Sequence, residues 1–116
     1  MDVFATLSAI SPDIRYIAIY QDGDLRMWQR DAISDTSSSE SDRYEELLVN
    51  PTLLKLAQQR GDIDCGGLDY LLVRYGSFFQ LVRTIKRGHV SICIDAAADP
   101  IKLEEDLRSI IRELFG

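Results

Sequence analysis

Apolar positions along the chain alternate between a helical spacing and a strand spacing. Val3, Phe4, Leu7 and Ile10 share one side of a short helix over residues 2–10, which Ser11-Pro12 stops. Residues 14–20 are β-branched, aromatic or small apart from Arg15, and predict a strand. Asp22-Gly23 is a hairpin signal, because glycine accepts the positive φ of a tight turn, and residues 25–29 return as a second strand with Met27 and Trp28 on opposite faces. Residues 31–42 break the pattern: they are serine-rich, acidic and poor in large apolar side chains, and read as a flexible surface loop.

A helix is expected from about Arg43, carrying Tyr44, Leu47 and Leu48. Asn50-Pro51 interrupts it, since Asn is a good N-cap and Pro suits a first helical position. The second piece carries Leu53, Leu54, Leu56 and Ala57 and closes at Arg60-Gly61. Strands follow at 68–75, 78–86 and 89–95, separated by Gly76-Ser77 and Arg87-Gly88. The first of these is apolar on both faces, with Leu68, Tyr70 and Leu72 on one and Leu71, Val73 and Tyr75 on the other, so both sides are expected to be covered by helices or by a partner chain. In the last strand Val90, Ile92 and Ile94 face one way, and Ser91, Cys93 and Asp95 the other. Asp99 caps a final helix opened by Pro100, with Leu103, Leu107, Ile110, Ile111 and Leu114 in one stripe.

The predicted order is α-β-β-α-β-β-β-α in one domain over residues 1–116, a length that suits one hydrophobic core. The net charge of −6 opposes nucleic acid and anionic lipid, whose affinity comes from Lys and Arg. No run approaches the ~20 apolar residues of a membrane span, and the N-terminus lacks a basic start, so a cytoplasmic protein is expected. Cys65 and Cys93 fit no metal or redox spacing; free thiols are the simpler reading and a Cys65–Cys93 disulfide is the alternative.

Candidate chemistry is sparse. His89 is the only histidine, which excludes a multi-histidine metal cluster, and it is expected to be a partly exposed strand-end residue. The pairs Asp22/Asp24, Asp62/Asp64 and Asp95/Asp99 lie in or beside turns, where Asp bonds local backbone. Gly66-Gly67 leads into a strand, so its amides are not aimed as a phosphate loop's are. No catalytic, cofactor or metal residue is assigned. Arg83, Lys86 and Arg87 form a basic cluster in sequence, a solvated patch or a docking spot for an acidic partner. Ser37 and Ser39 precede acids at +3, a phosphorylation pattern of very low specificity, and Pro51 removes Asn50 as a glycosylation acceptor. Tyr16, Tyr20, Tyr70, Tyr75, Phe78 and Phe79 fall on strands; the element order and the missing basic groove argue against base stacking.

The chain resembles the roadblock family of dynein light chains and bacterial GTPase regulators. The residues that carry the resemblance are 14–20 with Asp22-Gly23, then Leu71-Leu72-Val73-Arg74-Tyr75-Gly76, then Gly88-His89-Val90-Ser91-Ile92-Cys93-Ile94, and the closing helix. It departs from the family in its short first helix, its long serine-rich loop and Asn50-Pro51. The resemblance implies an α+β fold: a five-stranded antiparallel sheet with the central helix on one face and the terminal helices on the other. It also implies dimers joined edge to edge through the third strand with central helices packed together, which places Leu68, Tyr70, Leu72, Leu53 and Leu56 in the interface. The expected function is a non-enzymatic homodimeric adaptor for a small Ras-like GTPase or a motor-type assembly, with no cofactor. The competing class is a small-ligand sensor of PAS or profilin type, marked by polar residues pointing into an otherwise apolar cavity.

Overall fold

A computed structural model describes residues 2–30 and 39–116. Helix α1 spans Val3–Ser8, with Asp2 as its cap: the carboxylate accepts from the amides of Phe4 and Ala5. Strands β1 (Ile14–Gln21) and β2 (Asp24–Gln29) form the expected hairpin. The central helical region comprises α2 (Ser39–Tyr44), a π turn (Glu45–Val49) and α3 (Asn50–Asp64). Strands β3 (Leu71–Arg74), β4 (Phe78–Ile85) and β5 (Gly88–Asp95) follow, and α4 (Pro100–Phe115) closes the chain behind its Asp99 cap.

All strand pairs are antiparallel and the sheet order is β2-β1-β5-β4-β3, so β2 and β3 are the edges. One face carries Ile17, Ile19, Val90, Ile92, Ile94 and Leu81. They pack with Leu7 of α1 and Leu103, Leu107 and Ile111 of α4 into one core. A register shift between Ile14 and Tyr16 places Ile14 in the same core. At that end Arg30 donates to the carbonyls of Ile14, Ser8 and Ser11, tying β2 to the exit of α1.

Several local expectations are corrected. The helix begins at Ser39, inside the stretch expected as loop, and the rest of that stretch, with Ser37, lies outside the described residues. Asn50-Pro51 does not break the helix. Proline lacks an N–H, and its ring crowds the carbonyl four residues back. The π turn just before it relieves this: the Asn50 amide reaches the Glu45 carbonyl, and the Thr52 hydroxyl bonds the Leu48 carbonyl at 2.6 Å. Asn50 is therefore helical, with its side chain turned inward, and is no cap. Gly61 does not end the helix either, which runs to Asp64. A Cβ at Gly61 would lie 2.9 Å from the Gly67 carbonyl carbon, so this glycine lets the returning chain cross the helix closely. Strand β3 starts at Leu71, which leaves Leu68, Asp69 and Tyr70 as an approach segment outside the ladder.

Candidate interaction surface and the polar cluster beneath it

The central helical region covers the second face of the sheet, and the way it does so is unusual. Its inward residues are Glu46, Asn50, Leu54 and Gly61; its large apolar residues Tyr44, Leu47, Leu48, Leu56 and Ile63 face solvent, Leu56 at 60% and Ile63 at 76% exposure. Leu53 is half-buried. The π turn sets this arrangement by placing Glu46 and Asn50 on the sheet side while Leu47 and Leu48 stay outside.

Beneath the helix lies a hydrogen-bonded cluster. The Glu46 carboxylate, fully buried, accepts from the Tyr16 hydroxyl at 3.1 Å and the Asn50 amide at 3.0 Å, and meets His89 Nε2 at 2.9 Å. A buried carboxylate survives there because donors replace the water it has lost. The bonds continue across the sheet. Asn50 also reaches the Ser91 hydroxyl at 3.4 Å, Gln80 donates to Ser91, and the Cys93 thiol donates to Gln80 at 3.2 Å. His89 is 2% exposed and stacks on Tyr20, with ring centroids 5.7 Å apart. The expectation of a partly exposed His89 is thus corrected: strand alternation turns it under the helix, where Glu46 receives it.

Burial first, and the Glu46 and Asp42 charges second, push the Tyr16 hydroxyl far above the ordinary phenol range. The same causes push the Cys93 thiol up, which holds it protonated and unreactive. Both cysteines are free, so the disulfide alternative is set aside.

The basic residues singled out in the sequence separate. Arg83 is buried on the opposite face, donating to Glu104 of α4 at 2.6 Å and to Asp69 at 2.8 Å, and lying over the Tyr70 ring. Arg108 completes the group through Glu104. Lys86 is exposed, and Arg87 pairs with Asp22 across the two hairpin tips. The three cations therefore form no single surface patch.

Of the expected interface residues, Tyr70 and Leu72 pack back against the α1/α4 core, Leu68 is half-buried, and Leu56 stands outside on the helix. Sequence reasoning missed that Tyr44, Leu47, Leu48 and Ile63 face outward. It also missed the cluster around Glu46. The available signal was the i,i+4 pair Glu46 and Asn50, opposite a β5 face that reads His89, Ser91, Cys93.

A cleft of about 720 Å³ opens beside this cluster, between α2 and the ends of the strands. Its walls include Tyr16, Glu45, Tyr75, Phe78, Gln80 and Cys93.

No protein-family profile matches the chain, and no curated protein matches it. Among solved structures it is similar to the crystal structure of MglC from Myxococcus xanthus. That likeness has 14% sequence identity and a TM-score of 0.56, and it covers 96% of this chain and 95% of that one. The fold is roadblock-like. At this identity the likeness speaks to architecture alone, and it agrees with the sheet and helix arrangement implied by the sequence.

Proposed function

We propose that this chain is a non-enzymatic adaptor or regulator of roadblock type, and that it works as a homodimer. The dimer presents a composite surface to a small Ras-like GTPase or a motor-type assembly in the cytoplasm. The observation that carries this reading is the outward exposure of Tyr44, Leu47, Leu48, Leu56 and Ile63 along the helical region, in a fold whose β3 edge has no neighbouring strand among the described residues.

Burying a large apolar side chain contributes about 1.5–3 kcal/mol. A few such residues per copy, doubled by a two-fold axis, offset an association cost of roughly 4–15 kcal/mol. Strand pairing across β3 would add main-chain hydrogen bonds and cover an edge that otherwise invites aggregation. The non-enzymatic reading rests on commitment of the reactive groups: His89, Tyr16 and Cys93 each serve an internal hydrogen bond.

Affinity purification from the native cell tests the partner. Recovery of a Ras-like GTPase with the wild-type chain, lost with Leu56→Asp, supports the proposal. Recovery of the chain alone contradicts it.

A further inference from the structure

The cleft beside α2 has a chemistry of its own. Tyr16, Tyr75 and Phe78 give it aromatic walls, and Gln80 and Cys93 lie on its sheet side. Acids outnumber bases around it: Asp42, Glu45, Glu46 and Asp95 against Arg15 and Arg30. Both arginines are engaged. Arg15 lies 3.4 Å from Asp95, and Arg30 donates from Nε and Nη2 to three backbone carbonyls at the exit of α1 and rests over Trp28. Glu46 is satisfied by its three partners below the helix.

Glu45 is different. It is half-buried, it accepts one hydrogen bond from the Tyr75 hydroxyl at 3.2 Å, and no cation among the described residues pairs with it. A partly desolvated carboxylate against aromatic rings, with no counter-charge, is the arrangement that attracts a cation with an apolar body.

We infer that this cleft binds a small organic cation, a primary ammonium carried on an apolar or aromatic group. The ammonium bonds the free oxygen of Glu45, and the body lies against Tyr75 and Phe78. The direction in which neighbouring groups titrate agrees. Burial raises Glu45, the Tyr75 hydrogen bond opposes that rise, and the Glu46 and Asp42 charges add to it; burial and then Glu45 raise Tyr75. This site goes beyond the adaptor reading and stands whether or not the chain pairs with itself.

The test uses three probes of one shape and three charges: phenethylammonium, 2-phenylethanol and phenylacetate, titrated into the full chain at fixed ionic strength and followed by amide NMR. Phenethylammonium is expected to move the signals of Glu45, Tyr75, Phe78 and Cys93 saturably while the neutral and anionic probes leave them in place. Glu45→Gln should weaken that binding by about tenfold, the loss of one charge-assisted hydrogen bond. Tyr75→Phe keeps the ring and frees Glu45, so its affinity should be equal or higher. Equal binding of the three probes, shifts confined to other residues, or Glu45→Gln binding like wild type would each overturn the inference. If Glu45→Gln does not fold, the three probes on the wild-type chain decide alone.

Discussion

The two faces of the sheet are closed by different means. On one, α1 and α4 lay aliphatic side chains over Ile17, Ile19, Val90 and Ile92, and an ionic group of Arg83, Glu104, Arg108 and Asp69 seals the side toward β3. On the other, the helical region meets the sheet through Glu46, Asn50 and Leu54, and turns much of its oil outward. An aliphatic face is held by buried area and close packing; a hydrogen-bonded face is held by the directions of its bonds as well. The first suits a finished core. The second suits an element that must offer a defined apolar surface while staying fixed on its sheet.

Breaking each face separately tests that contrast. Glu46→Ala strands the Tyr16, Asn50 and His89 donors in a dry site and should lower unfolding free energy by about 3–5 kcal/mol, measured by urea denaturation. Leu107→Ala on the aliphatic face should cost about 3 kcal/mol through lost burial and a cavity. A Glu46→Ala loss well below that of Leu107→Ala would show that the polar cluster does not hold the helix.

A smaller effect sharpens the comparison through pH. Burial raises the Glu45 carboxyl, so in the window just above the ordinary carboxylate value the folded chain binds more protons than the unfolded one. Its contribution is fully present below that window and is lost as pH rises through the raised value. Glu45→Gln should flatten this fall in stability measured across that range, an effect kept small by the solvent exposure of the group.

Much of the fold was legible. The Asp99-Pro100 start and the single apolar stripe of α4 left no competing reading, and the glycine-bearing turns at Asp22-Gly23 and Arg87-Gly88 fixed two hairpins. Gly88 is the clearest: a Cβ there would fall 1.8 Å from the Tyr20 carbonyl oxygen, so β1 and β5 can approach only over glycine.

The central helical region was not legible, and the reason is physical. Local rules place leucines inward and treat Asn-Pro as a boundary, whereas a π turn absorbed the proline and let two polar residues face the sheet. His89 and Arg83 were misplaced for a related cause. Each is polar on a strand, and each is buried because its partner, Glu46 or Glu104, comes from an element distant in sequence.

The central claim is that the outward apolar residues of the central helical region are covered by a second copy of the chain. Sedimentation equilibrium over a micromolar dilution series, on the wild type and on Leu56→Asp, tests it most directly. The account predicts a wild-type dimer and a folded Leu56→Asp monomer. A wild-type chain that stays monomeric throughout the series would contradict it.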